Sequence, residues 1–109
     1  MDGWIGVDFD GTLAEYHGWQ GPTTFGEPIL PMLMRVKGWI GRGVKVKIFT
    51  ARADNTASIK AIHEWLAKYN IPPLEVTNQK DFGMIELWDD RCVQVIPNTG
   101  EPVADKKEA

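Results

Sequence analysis

The 109-residue sequence has little cysteine and no long apolar run, and each absence narrows the function classes. A single cysteine, Cys92, excludes an intrachain disulfide and favours a reducing compartment. Its apolar neighbours, residues 93–96, predict a buried thiol with no reactive role. Because crossing a bilayer takes about 18 consecutive apolar residues and no signal-peptide pattern opens the sequence, we expect a cytoplasmic protein with no membrane partner.

An excess of basic charge is also lacking, since the formal net charge is −3. No global basic field therefore exists to attract nucleic acid, and a nucleic-acid partner is not indicated, although it stays open. Repeats and low-complexity segments are absent as well. The hydrophobic fraction of 43% and the charged fraction of 25% are those of an ordinary globular domain. We predict one domain over residues 1–97 and a flexible C-terminal tail over residues 98–109.

Short apolar runs alternate with helical patterns along the chain, which is typical of an α/β fold. Five runs predict strands, at residues 4–7, 44–49, 74–77, 84–88 and 93–96. One helix is predicted from Pro28 to Arg42, and a second begins at Asp54 or Asn55. Residues 13–27, rich in glycine, proline and aromatic side chains, predict a flap loop. Together these elements favour a three-layer α/β/α sandwich of Rossmann type around a mostly parallel sheet.

Chemically capable side chains follow the predicted strands. Asp8-Phe9-Asp10, Thr50-Ala51-Arg52 and Asp89-Asp90-Arg91 follow the first, second and fourth strands, and Lys80 follows the third. Parallel strands bring such residues to one edge of the sheet. Converging carboxylates repel one another unless a divalent cation lies among them, and all-oxygen ligands suit Mg²⁺. With a threonine and a lysine available for phosphate oxygens, the pattern indicates phosphoryl transfer.

Four sequence motifs resemble those of the haloacid-dehalogenase (HAD) superfamily, in the same order. They are Val7-Asp8-Phe9-Asp10-Gly11-Thr12-Leu13, Ile48-Phe49-Thr50, Lys80 and Leu87-Trp88-Asp89-Asp90. The resemblance covers the chain from Asp8 to about Ile96. It implies a Mg²⁺-dependent phosphomonoester hydrolase that works through an aspartyl-phosphate.

The resemblance also implies residue roles. Asp8 would be the nucleophile and Asp10 the general acid and base. The phosphate would be held by four residues: Thr50, Lys80, Ala51 and Phe9. The metal would take Asp8, the main-chain carbonyl of Asp10 and Asp90, with Asp89 behind them or as the alternative ligand. Arg52, Arg91 and Trp19 are candidate substrate contacts.

Neither gap between the motifs is long enough for a cap domain, so the chain resembles the capless members of the superfamily. Such members tend to act on exposed phosphates of macromolecules or to close their sites by forming homo-oligomers. The expected partner of this chain is a phosphorylated substrate, either a small molecule or an exposed phosphate on a macromolecule. Three alternatives stay open: a non-catalytic binding module, a phosphoryl-accepting signalling module, and a phosphotransferase. The identity of the substrate is not predicted by the sequence.

Overall fold

The computed structural model describes residues 3–104, which form a four-stranded parallel sheet and two α-helices. The elements in chain order are β1 Trp4–Asp8, α1 Leu30–Gly41, β2 Lys45–Phe49, α2 Thr56–Lys68, β3 Val76–Thr77 and β4 Met84–Trp88. A short 3-10 helix, Ala51–Asp54, follows β2. Neither α-helix of the described chain has the length and apolar character that a membrane crossing requires. The predicted α/β class and parallel sheet are confirmed.

The strand order is β3-β2-β1-β4, so β1 lies inside the sheet. Val7 pairs with Ile48 of β2 on one side and with Trp88 of β4 on the other. The chain builds outward from β1 to β3 and then returns to the opposite side of β1. Strand order therefore reverses between β1 and β4, where parallel α/β sheets open a crevice beyond the carboxyl ends of their strands.

Both helices pack against the same face of the sheet. The connections through α1 and α2 move in the same direction across parallel strands, and right-handed crossovers then put both helices on one side. Their buried residues share one core with alternate residues of β1 and β2. This core includes Ile5, Val7, Met32, Leu33, Val36, Val46, Ile48, Ile62 and Leu66. Asn55 begins α2 by accepting a hydrogen bond from the Ser58 amide at 3.0 Å.

The opposite face of the sheet is covered by side chains. Trp4 is only 3% exposed, and a Cβ on Gly6 would lie 3.1 Å from its ring. The indole N–H donates to Asp81 Oδ1 at 2.8 Å. Lys47 Nζ lies 4.3 Å from the ring centroid and 3.3 Å from Glu75 Oε2. Within the described part of the chain, no second helical layer covers this face.

Two expectations about the segment after β4 are wrong. Residues 93–96 do not join the sheet; Val95 makes a single antiparallel bridge to Pro102 instead. The chain turns directly after β4, where the Arg91 amide donates to Asp89 Oδ1 at 2.8 Å, so the following residues leave the sheet. The same turn leaves Cys92 exposed instead of buried. Of the predicted tail 98–109, residues 105–109 lie outside the described residues.

Candidate functional site

Three carboxylates converge where strand order reverses. Asp8 ends β1, and Asp89 and Asp90 directly follow β4. Each offers one oxygen, and these oxygens all lie within 4.8 Å of one another. Both members of the Asp89-Asp90 pair take part in this carboxylate cluster, because the neighbouring strands β1 and β4 end at the same edge. The donor set, made only of hard oxygen ligands, fits a hard divalent cation better than a softer metal.

The turn after β1 holds Asp90 against Asp8. The Thr12 hydroxyl accepts a hydrogen bond from the Asp90 amide at 3.0 Å and donates to Asp90 Oδ1 at 3.2 Å. Asp8 Oδ2 is 3.5 Å from the same hydroxyl. Gly11 has a φ of +87°, and a Cβ there would lie 2.6 Å from Asp90 Oδ2. Glycine is therefore required at position 11 for both its conformation and its lack of a side chain.

Gly11→Ala is expected to destabilise the fold and to separate the carboxylates. The positive φ alone costs a non-glycine residue about 1–2 kcal/mol, and the clash with Asp90 adds to this. Thermal unfolding and Mg²⁺ titration measure the two effects. Gly18→Ala is the matched control, because Gly18 also has a positive φ, +126°, but a Cβ there would meet no atom within 4 Å. If both variants titrated Mg²⁺ alike, the close approach at Gly11 would not shape the cluster.

The environment of Asp8 opposes its ionisation. Burial, a hydrogen bond with the Asp90 side chain and the charges of Asp89 and Asp90 raise the pKa of Asp8 to about 8, against a smaller opposite effect from the Phe9 backbone. The cluster therefore resists full ionisation at neutral pH. A bound divalent cation would reverse this, since an adjacent positive charge favours the carboxylate forms.

Asp10 lies apart from the carboxylate cluster and is paired with Arg52. Arg52 Nε lies 2.7 Å from Asp10 Oδ2, and Nη2 lies 3.1 Å from Oδ1, a two-point pairing of guanidinium and carboxylate. The Arg52 side chain is 5% exposed and that of Asp10 is 22% exposed. The carboxylate of Asp10 thus faces a cation supplied by the protein itself, which distinguishes its surroundings from those of Asp8.

Arg52 also fastens the flap. Its Nη1 donates to the Gly21 carbonyl at 2.9 Å. The guanidinium carbon lies 4.6 Å from the Trp19 ring centroid and 4.7 Å from that of Phe25, so two flap aromatics contact the cation. A single buried arginine therefore connects the flap to Asp10. Arg52, one of the candidate substrate contacts, is an ion-pair partner of Asp10 in the described geometry.

Helix α2 holds the flap at two further points. The Ser58 hydroxyl donates to the Pro22 carbonyl at 2.6 Å, and Trp65 Nε1 donates to the Gly26 carbonyl at 3.0 Å. Ser58 is 1% exposed and lies on the buried face of α2. These bonds satisfy carbonyls of a loop that has no regular secondary structure of its own, and they order it.

An open cleft of about 820 Å³ lies between the flap and the sheet edge. Its lining includes two members of the carboxylate cluster, the Asp10–Arg52 pair and residues of the flap and α2. These are Asp8, Asp10, Tyr16, Trp19, Pro22, Thr50, Ala51, Arg52, Asp54, Asn55, Ser58, Asp90 and Arg91. The cleft is large enough for a small-molecule ligand.

The predicted phosphate-holding residues fall into two groups. Thr50 lines the cleft, with its hydroxyl accepting from the Arg52 amide at 3.1 Å and its own proton free to donate. Ala51 lines the cleft too. Phe9 is fully buried and is not among the residues that line the cleft. Lys80 is exposed between β3 and β4 and is not among the described residues that line the cleft.

Two contributing residues were not predicted. Thr12, inside the first motif, bridges Asp8 and Asp90, and Ser58 anchors the flap. Ser58 had a detectable signal: it precedes Ile62 and Leu66 at intervals of four, so it is a polar residue at a core-facing position of α2. The contact of Thr12 with a residue 78 positions away carried no such local signal.

Comparisons with known proteins assign no family to the chain. No protein-family model matches the sequence, and no curated protein or solved structure is a significant match.

Proposed function

We propose that this protein is a Mg²⁺-dependent phosphomonoester hydrolase of the HAD type. The observation that carries the proposal is the convergence of Asp8, Asp89 and Asp90 within 4.8 Å at the reversal of strand order. The same cleft contains a separately paired carboxylate, Asp10, and the hydroxyl of Thr50. Such a hydrolase needs a set of metal ligands, a nucleophile, a general acid and base, and a hydrogen-bond donor to the phosphate.

In the proposed reaction, an Asp8 carboxylate oxygen attacks phosphorus and the ester P–O bond breaks. Asp10 enters this step protonated and released from its pairing with Arg52. It gives that proton to the departing alkoxide and then takes one from the water that hydrolyses the aspartyl-phosphate. The products are an alcohol and inorganic phosphate, and both aspartates return to their starting state. Mg²⁺ held by Asp8, Asp90 and Asp89 would neutralise charge on the phosphoryl oxygens.

A cation beside the phosphate belongs to the proposal. Arg91 lines the cleft, whereas Lys80 does not. Arg52 is already committed to Asp10 and to the flap. Arg91 is therefore the better candidate in the described geometry, and the third-motif role of Lys80 stays a prediction.

The proposal includes a capless architecture, with the flap of residues 13–27 in the place of a lid. The cleft between the flap and the sheet edge is open, which suits a small phosphate ester or an exposed phosphate on a macromolecule. The predicted three-layer sandwich would need a further helical layer on the face covered by Trp4 and Lys47. A second copy of the chain could supply it. The free, exposed thiol of Cys92 is compatible with a reducing, cytoplasmic setting.

A screen of varied phosphomonoesters for release of inorganic phosphate, with Mg²⁺ and with a chelator, tests the proposal. We expect turnover only with the metal. Phosphate appearing on an added acceptor alcohol would change the assignment to a phosphotransferase. A stoichiometric phosphoprotein without turnover would favour the signalling alternative, and no reaction with any ester would contradict the enzyme assignment.

A further inference from the structure

A second depression lies along α1, outside the cleft. It has a volume of about 500 Å³ and is lined by Pro31, Met34, Arg35, Gly38, Trp39, Arg42 and Trp88. The lining positions of α1 recur at spacings of one and three, which is one stripe of a helix. Trp88 belongs to β4 and directly precedes Asp89-Asp90. This groove, called here the α1 groove, therefore begins near the sheet edge that carries the candidate site.

The α1 groove lies in the basic part of an acidic chain. Residues 28–53 contain no aspartate or glutamate and half of the twelve basic residues of the protein. These are Arg35, Lys37, Arg42, Lys45, Lys47 and Arg52. Arg35 and Arg42 line the groove itself. Lys47 and Arg52 are paired with Glu75 and Asp10 away from the groove. The positive charge at α1 itself comes from Arg35, Lys37 and Arg42, and the helix contains no acidic residue.

The floor and walls of the α1 groove suit a flat, aromatic ligand. Trp39 and Trp88 pack edge to face with ring centroids 5.3 Å apart, and the Arg35 guanidinium lies 5.3 Å from the Trp88 ring. Trp88 Nε1 donates to Glu86 Oε1 at 3.1 Å, so the polar atom of this indole is already satisfied. Glu86 brings one negative charge near the groove, but it is not part of the lining.

Gly38 has a role in this shape. Glycine inside a helix is unfavourable by about 1 kcal/mol relative to alanine. At Gly38 the missing side chain opens the middle of the groove. The three atoms nearest to a Cβ there all belong to the Arg42 guanidinium, and the closest is Nη1 at 3.3 Å. No core atom comes closer to that Cβ than 3.9 Å, so the core gives no reason for glycine here.

We propose that the α1 groove binds single-stranded nucleic acid, with its arginines on phosphates and one base against its tryptophans. Positive charge combined with aromatic faces is the combination that single strands require. An acidic peptide would use the arginines but would leave the partly exposed rings of Trp39 and Trp88 uncovered and the space at Gly38 unfilled. The inference does not depend on the proposed hydrolase, because binding is measured in a chelator without turnover.

The test is fluorescence anisotropy of a labelled 12-nucleotide oligothymidine at 50 mM salt and at higher salt. Two phosphate contacts on a single strand predict a log–log salt slope of about −1.4. Arg35→Glu/Arg42→Glu is expected to weaken binding at least about tenfold. Lys60→Glu/Lys68→Glu on α2 makes the same change in net charge away from the groove and should weaken binding less than about twofold.

Gly38→Leu fills the α1 groove without changing the net charge. It therefore provides a second test of the proposal if Arg35→Glu/Arg42→Glu fails to fold. It should weaken binding at least about threefold by displacing the stacked base. No binding by wild type, equal losses in both charge-reversal pairs, or full affinity in Gly38→Leu would overturn the proposal. Displacement of the oligonucleotide by polyglutamate at equal charge concentration would assign the groove to an acidic protein partner and would also overturn it.

Discussion

Asp8→Asn is expected to lower phosphate release by at least about a thousandfold, which corresponds to about 4 kcal/mol of transition-state stabilisation. An amide cannot attack phosphorus as a carboxylate does, so no aspartyl-phosphate forms. The fold should persist, because asparagine has the same shape and its oxygen still faces the Thr12 hydroxyl. Loss of activity with retained structure is the signature of a nucleophile.

The same substitution is expected to stabilise the metal-free protein at high pH. Burial, the Asp90 hydrogen bond and the neighbouring charges raise the pKa of Asp8 to about 8, above its ordinary value of 3.8. A raised pKa means that the folded state favours the protonated carboxyl. The stability from that proton is complete below about pH 4 and is lost as the pH rises through about 8. Because asparagine does not ionise in this pH range, Asp8→Asn does not lose this stability as the pH rises.

Thermal unfolding from pH 5 to pH 9 in a chelator measures this effect. One pKa unit corresponds to about 1.4 kcal/mol of free energy. Because water reaches part of the Asp8 carboxyl, the effect on stability is smaller than the full pKa shift implies. We expect the free energy of unfolding of Asp8→Asn to exceed that of wild type by about 2 kcal/mol at pH 9. Mg²⁺ should reduce this gain by stabilising the ionised wild-type cluster.

Asp54→Asn is the matched control for both measurements. Asp54 lines the same cleft, but its Oδ1 accepts from Asn78 Nδ2 at 2.8 Å and it does not belong to the carboxylate cluster. Its activity and its pH dependence should follow wild type. An Asp8→Asn protein that kept most of its activity, or an Asp54→Asn protein that lost as much, would remove Asp8 from the role of nucleophile.

The sheet was predictable because its inner strands are short apolar runs bounded by turn residues. β2 alternates lysines with apolar residues, which marks the face that meets the helices, whereas β1 is a continuous buried run from Trp4 to Val7. Residues 93–96 have the same local composition, yet Val93 and Val95 are about half exposed. An apolar run does not encode where its partner lies, and the turn formed by Asp89 directs this one away from the sheet.

The candidate site was predictable where it depends on strand ends and unpredictable where it depends on distant contacts. Parallel strands bring Asp8 and Asp90 together, and both positions follow from local patterns. The pairing of Asp10 with Arg52 joins positions 42 residues apart, and no local spacing reports it. Lys80 is the opposite case. Its place after a strand is a local pattern like that of Asp8, but its loop extends into solvent and the lysine lies outside the cleft.

Arg52→Met is expected to cause the largest loss of stability among single substitutions near the cleft. It leaves the Asp10 carboxylate without its cation and removes the bond to the Gly21 carbonyl and the contacts with Trp19 and Phe25. Removing one member of a buried ion pair costs about 3–5 kcal/mol, and the 22% exposure of Asp10 places this case near 3 kcal/mol. The unfolding temperature should fall by about 15 °C.

Arg91→Met controls for the loss of an arginine from the same cleft, because Arg91 is exposed and should change stability by less than about 0.5 kcal/mol. Arg52→Met/Asp10→Asn separates the ion pair from the flap contacts. If the unpaired carboxylate dominates, the double variant is more stable than Arg52→Met alone, since no buried charge is left without a partner. If the flap contacts dominate, removing the charge of Asp10 restores nothing, and limited proteolysis should cut both variants within residues 13–27. Equal stability of Arg52→Met and Arg91→Met would contradict the assignment of Arg52 as the residue that joins the flap to Asp10.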